Sequence, residues 1–481
     1  MKRIRGILLL ALLAAGMIVL TGTGSKAAVK LSAKKVTFAK PSTGSKTITI
    51  KGVKTSNIKK LTVSSSNPKI AKASKKGKNK VVIKAGYAGE TYVYITAEYK
   101  KPVKGSYSFY GSVTVKVKGT SKIPVKTAKD LTEIQEYNEN WTYVLKNDID
   151  MSGVSLPLKN KWNERISLSN TTLDGDGHTI KNLNGPFLSC LGGTLKNIKF
   201  ENFKINCKNT DKTDLSNEIS HGYAAALIQY TSVGKIVNCK VSGSITLTFE
   251  GDDNFDSKDS GQVFYLQYVG GLVGRNQSNA TIERCVSDVD ITLDYSKSTD
   301  ASRCPHVGGI CGDNSGSDYK TNTIKQCVNS GDIKTINGNC FAGGLSGMDN
   351  RSEYEDCLNT GHIYNIMDSG EEETKKTSYA GLIGWPSTST KMTNCLNDGK
   401  SSFGISGWPT NTDSEMGSFT NVYNAEGKTI YMFNYLQDPF EIPGTHSVSD
   451  ADLTNQSAFT GFDFGSVWTM GSAGPTLKNV Y

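Results

Sequence analysis

One phrase recurs along this chain and limits what it can fold into. Val269-Gly270-Gly271-Leu272-Val273-Gly274 returns as Val307-Gly308-Gly309-Ile310-Cys311-Gly312 and again as Ala342-Gly343-Gly344-Leu345-Ser346-Gly347. A looser copy is Ala380-Gly381-Leu382-Ile383-Gly384, and Ala225-Ala226-Leu227-Ile228 is a weaker forerunner. Each copy is followed by a second phrase that ends in cysteine, at Cys239, Cys285, Cys327, Cys357 and Cys395, with intervals of 30 to 46 residues between them. A short unit repeated at such intervals is the mark of a stacked coil, because one unit cannot bury its apolar face alone. A Gly-rich strand, an Ile-x-x-Cys strand and a third such as Asp290-Ile291-Thr292-Leu293 predict one three-sided coil. Ile282 and Cys285 are three apart, so a bend must separate them if both face inward. In a stack the five thiols form an internal column about 4.8 Å apart. Parallel side chains at that spacing do not suit disulfides, so they read as small buried hydrophobes.

Charge divides the chain. Residues 29–128 contain 23 lysines, no arginine and only Glu90 and Glu98, a net of +21, whereas residues 129–481 are net −15. A basic module implies an anionic partner, here an anionic cell-wall polymer. Nucleic acid is not expected, since its readers use the bidentate arginine fork that this module lacks. Residues 1–28 read as a signal peptide, with Lys2, Arg3 and Arg5 ahead of an apolar run at 6–20. That run is short for a membrane span, so no transmembrane segment is expected after signal cleavage.

Residues 29–119 alternate apolar and polar positions in several short runs, among them Tyr92-Val93-Tyr94-Ile95 and Val113-Thr114-Val115. That pattern predicts a β-sandwich. Ser65-Ser66-Asn67-Pro68-Lys69-Ile70-Ala71, with Gly86 and Gly89 before the Tyr92 strand, resembles bacterial immunoglobulin-like domains of the group 2 type. Val63 stands where those domains usually carry Trp, and residues 75–80 are a Lys-rich insertion. Residues 120–126 read as a linker. Thr127 and Asp130 then predict a short capped helix reaching Tyr137 and covering the first coil.

Residues 125–481, about three quarters of the chain, resemble the secreted GLUG-motif proteins. The resemblance rests on Asn147-Asp148-Ile149-Asp150, on residues 173–180 and on the Gly-Gly-Leu-x-Gly repeats. The closing Gly461-Phe462-Asp463-Phe464 and Gly474-Pro475-Thr476-Leu477 complete it. It implies a right-handed parallel β-helix (a solenoid) on the cell surface, and no activity. The fold expectation is therefore all-β: an Ig-like β-sandwich at 29–119, then a parallel β-helix with a short N-terminal capping helix at 127–481.

Chemistry-bearing sets are sparse. Pectin-cleaving β-helices carry Asn-Thr-Asp, Asp-Asp, Gly-His-Gly and Arg-Ile-Lys signatures; only Asp252-Asp253 and Ser220-His221-Gly222 occur as fragments. Five histidines, none four residues from another, exclude a His-Glu-x-x-His zinc site. Asp252, Asp253 and Asp256 are weak candidates for Ca²⁺, in a loop that a solvated acidic surface explains as well. Asp174-Gly175-Asp176-Gly177-His178 reads as a tight turn. Trp385 and Trp408 each precede Pro after a Gly-rich strand and offer flat faces for a sugar ring; the alternative places both under a C-terminal cap. These readings predict a secreted, non-enzymatic, adhesin-like protein on the surface of a Gram-positive-type bacterium. Its expected ligand is a glycan or a host or neighbour surface protein, and no cofactor is required. The rival is a polysaccharide lyase or hydrolase.

Overall fold

The computed structural model describes residues 28–134, 141–154, 167–210, 223–251, 254–256, 263–299, 304–317, 320–366, 379–387, 389–407, 417–426, 429–431 and 443–478. It divides into two compact units, residues 1–120 and 121–481. The signal-like segment lies outside the described residues. Among those described, no helix is long and apolar enough to cross a membrane.

The first unit is a β-sandwich of two four-stranded sheets. One orders the strands Lys30–Leu31, Ser45–Lys51, Lys80–Ala85 and Ala71–Lys76. The other orders Lys35–Phe38, Ser106–Val117, Gly89–Val103 and Ile58–Ser65. Period-two alternation buries Val93, Ile95, Val113 and Val115 on one face of the second sheet and turns Tyr92, Tyr94 and Lys116 outward. The Ser66-Asn67 turn is pinned to the buried Thr91. Ser66 Oγ lies 2.9 Å from Thr91 Oγ1, which also accepts from Asn67 N at 2.9 Å.

The second unit is a parallel β-helix. Its coils form four parallel sheets in which the wall strands pair with the corresponding strands of the coils before and after. Wall one carries Val263–Gly270, His306–Gly308 and Phe341–Gly343; wall two carries Val273–Gln277, Cys311–Ser315, Ser346–Asn350 and Ile383–Trp385. Wall three includes Thr281–Glu283, Asn322–Lys325, Ser352–Glu355 and Lys391–Thr393, and wall four includes Val286–Ser298, Leu358–Asn359 and Ile363–Ile366. The coil therefore has four strand segments, not three. The Gly-Gly-Leu-x-Gly phrase is a corner joining two of them and not a single strand.

Strands of three residues cannot persist alone. Ordering each residue costs about 1–2 kcal/mol in backbone entropy. Burial of an aliphatic side chain returns roughly 1.5–3 kcal/mol only when a neighbouring coil covers it. Wall three shows how that is met: one inward file runs in register from Ile123 through Tyr143, Leu173, Leu195, Ile236, Ile282, Ile324, Tyr354 and Met392 to Phe419.

The bend between Ile282 and Cys285 is a left-handed residue. Asn238, Arg284, Gln326, Asp356 and Asn394, each just before the column cysteine, have φ between 51° and 54°. Their amides continue the ladder, for example Arg284 N to Lys325 O at 2.9 Å. The corner turns both Ile282 and Cys285 inward. The five cysteines are fully buried thiols, and burial pushes Cys239, Cys327 and Cys395 well above the usual thiol range.

A second internal column lies two residues beyond the cysteines. Asn329 Nδ2 donates to Asn359 Oδ1 at 2.8 Å, Asn359 to Asn397 at 2.8 Å, and Asn397 to Asn424 at 2.9 Å, all fully buried. Each of the first three also donates to the carbonyl two residues on, at Gly331, Gly361 and Gly399. This column explains the second glycine of the repeated phrase. A Cβ on Gly309, Gly344 or Gly381 would sit 2.2 Å from the amide carbon of Asn329, Asn359 or Asn397.

Residues 120–126 are not a linker. Ser121–Val125 pairs residue for residue with Trp141–Leu145 and is the outermost strand of wall three. Ser121, Ile123 and Val125 face in, and Pro124 is tolerated because an edge strand needs no donor there. The helix Ala128–Leu131 follows this first rung. It carries a capping box, with Thr127 Oγ1 accepting from Asp130 N and Asp130 Oδ2 accepting from Thr127 N at 3.0 Å. The helix is one turn long; Tyr137 lies outside the described residues.

At the far end the chain packs along the flank of the stack. Residues Leu453, Phe459, Phe462, Trp468 and Leu477 cover Leu358, Leu396 and Tyr423 of wall four. Trp468 Nε1 donates to Asp356 Oδ1 at 3.2 Å in a buried contact.

Candidate binding groove

The phrase Gly308-Gly309-Ile310 carries the chain from wall one to wall two in a pinched turn. A Cβ on Gly308 would lie 1.8 Å from Cys311 O, and one on Gly347 would lie 2.2 Å from Val307 N, so only glycine lets the walls close this far. Leu272, Ile310, Leu345 and Leu382 fill the inside of the turn.

Outside the turn, side chains of the two walls converge. Wall one contributes Tyr268, His306 and Phe341, aligned by the register Tyr268↔His306↔Phe341. Wall two contributes Arg275, Asp313, Met348 and Trp385, aligned by Arg275↔Asp313↔Met348↔Trp385. The rings form a continuous file along the stack. Tyr268 and His306 centroids are 5.8 Å apart, His306 and Phe341 5.7 Å, and Phe341 and Trp385 4.6 Å. Arg275 lies 5.1 Å over the Tyr268 ring. Its Nε stands 3.1 Å from Asp313 Oδ2, with side-chain exposures of 15% and 4%, so the pair is largely desolvated.

Burial and charge set the protonation here. His306 is lowered to about 4, first by burial and then by the nearby Arg275, so it is neutral at pH 7. Its Nδ1 is buried without a hydrogen-bond partner. Burial raises Asp313, against the pull of Ser315 and Arg275. One coil on, Asp349 is fully buried and raised to about 7 by desolvation, although Thr390 Oγ1 (2.5 Å) and Ser387 N (3.0 Å) both donate to it.

Trp385 is thus on the outer corner, in tilted contact with Phe341, and not among the rings of the C-terminal flank. Trp408 lies outside the described residues. Asp252 and Asp253 also lie outside them. Asp256 ends the short strand Asn254–Asp256, which runs antiparallel to Val263–Gly270. The neighbouring Glu250 is held by Lys297 and Lys208, each at 3.3 Å, and both lower its pKa. Among the described residues no group of three metal-ligating side chains occurs. Residues 174–178 form a turn, with Asp176 N donating to Asp174 Oδ1 at 3.0 Å and Asp176 at φ 54°.

Sequence reading alone missed Tyr268, His306, Phe341 and the Arg275–Asp313 pair. The signal was present: Tyr268, His306 and Phe341 stand one residue before the repeated phrase in three successive copies.

The stacked coils and glycine-pinched corner define a solenoid of the parallel β-helix class. Residues 265–292 match the family model described as the GLUG motif. No curated protein matches the chain. Among solved structures, a chain titled IgA1 Protease is similar, at 16% identity and a TM-score of 0.41, over 82% of this chain and 28% of that one. The chain thus spans well under two thirds of that protein's length.

Proposed function

We propose that this chain is an extracellular, surface-associated binding protein that recognises an extended glycan along the outer corner between walls one and two. The observation that carries this reading is the ring file Tyr268–His306–Phe341–Trp385. A pyranose presents an apolar face that stacks on such rings and hydroxyls that seek polar edges. Arg275, partly exposed and 5.1 Å over the Tyr268 ring, supplies one such edge.

Each aromatic contact of this kind contributes about 0.5–1.5 kcal/mol. Phe341→Ala and Trp385→Ala should therefore each weaken retention on an immobilised glycan roughly threefold to tenfold, with an unchanged melting temperature. Equal retention by wild type and both variants, or unfolding of both, counts against the proposal. A cleaving enzyme is the second reading. It is favoured by the oppositely perturbed His306 and Asp313 at one corner, a pattern that clusters at reacting sites. Release of reducing ends or unsaturated products from a glycan panel, lost in Asp313→Asn, would replace binding by catalysis.

A further inference from the structure

We propose that the outer face of the sandwich's second sheet is a separate docking surface for a linear anionic glycan. It goes beyond the corner reading and shares no residue with it. A solvent-facing side of an antiparallel sheet is normally polar throughout. Here Tyr92, Tyr94 and Tyr110 stand on it with exposures of 47%, 49% and 75%. Tyr92 and Tyr94 are two apart on one strand, with centroids 6.5 Å apart and planes inclined by 27°, so they form one exposed aromatic pair. Tyr110 lies opposite Thr96, next to the Tyr94–Ser112 pair, and adds a third exposed ring on the neighbouring strand. Thr62, Ser64, Thr96, Ser112 and Thr114 put hydroxyls around these rings on the same face. Exposed rings set among hydroxyls mark an interaction surface, since they add nothing to the core beneath.

Charge selects the class of ligand. The module's two acidic residues both stand on this face, and each is opposed by a lysine, Glu90 by Lys116 and Glu98 by Lys60. Lys60 Nζ approaches Glu98 to 3.8 Å. With both carboxylates opposed, the 21 lysines of residues 29–120 leave the sandwich strongly positive. Rings for stacking, hydroxyls for hydrogen bonds and a cationic surround fit a polyuronate-like chain. A single-stranded nucleic acid also stacks on aromatic rings. The absence of arginine and the abundance of hydroxyls favour sugars.

The test uses the full chain with polygalacturonate as probe, beside a neutral linear glucan and a single-stranded oligonucleotide. Polygalacturonate should bind most tightly and weaken as salt rises. Tyr92→Thr/Tyr94→Thr, which keeps strand-forming side chains, should bind it about tenfold more weakly. Tyr92→Phe/Tyr94→Phe should retain most of the affinity because the rings remain. Tyr92→Thr/Tyr94→Thr should cause the same loss in the wild-type and in the Phe341→Ala/Trp385→Ala background, which separates failure here from failure at the corner. No polygalacturonate binding, undiminished binding by the threonine variant, or tighter binding of the oligonucleotide would each overturn the proposal.

Discussion

Replacing Asn359 by alanine removes the middle of the buried asparagine column. Asn359 donates to Asn397 Oδ1 at 2.8 Å and to Gly361 O at 3.0 Å, and accepts from Asn329 Nδ2 at 2.8 Å. Two of its partners keep an alternative: Asn329 Nδ2 retains Gly331 O, and Asn397 Oδ1 retains Gly399 N at 3.2 Å. The loss is thus close to three net hydrogen bonds at about 1 kcal/mol each, without a fully stranded charge. That gives about 3 kcal/mol, at the upper end for a point change. In a solenoid such a loss acts mainly on the altered coil and its two neighbours. Amide hydrogen exchange read by peptide should therefore show protection in residues 352–366 falling about 100-fold, with adjacent coils less affected and the sandwich unchanged. Unaltered exchange in that coil would show that the column adds nothing. Equal loosening of every coil would refute the nearest-neighbour account.

The converse change should stabilise the stack. Ser287 occupies the column position one coil earlier, and both Ser287 Oγ and Asn329 Oδ1 are buried without partners. Ser287→Asn supplies the missing donor and should add about 1 kcal/mol, seen as a higher melting temperature; a lower one would mean that the site lacks room. The titrating groups near the corner predict opposing pH effects. Asp349 rises from 3.8 to about 7 on folding, so the folded state holds a proton that the unfolded chain has lost, and stability falls as pH rises across that window. His306 falls from 6.5 to about 4, so stability is lost as pH drops below 6.5. Thermal melts from pH 4 to 6.5 should show a net upward trend with pH in Asp349→Asn and a downward one in His306→Phe. Identical slopes in both variants would refute the assignment.

The stack was legible because its inward file is apolar in nearly every copy and its cysteines are in step. The three-residue gap from Ile282 to Cys285 demanded a bend; Asn238 and Asn394 hinted at a left-handed residue, while Arg284 and Gln326 gave no sign. The glycine phrase was misread as a strand because its apolar residues suggest one. Its cause is steric and distant: the space that a Cβ on Gly344 needs is filled by Asn359 from another wall. The asparagine column was in plain view in Cys327-Val328-Asn329, Cys357-Leu358-Asn359 and Cys395-Leu396-Asn397. Asparagine with glycine two residues on ordinarily signals a solvated turn. The flank contact of Trp468 with Asp356 joins residues 112 apart and leaves no periodic trace.

The strict succession of strands in every wall has a consequence for how such a chain changes length. Because Asn329, Asn359 and Asn397 are interchangeable hosts for the rung above and below, a duplication or deletion spanning one whole cysteine interval leaves every surviving neighbour relation intact. An insertion of any other size must be absorbed outside the walls. The uneven intervals of 30 to 46 residues fit this rule: the inward positions of each rung stay in step while the chain between them varies in length.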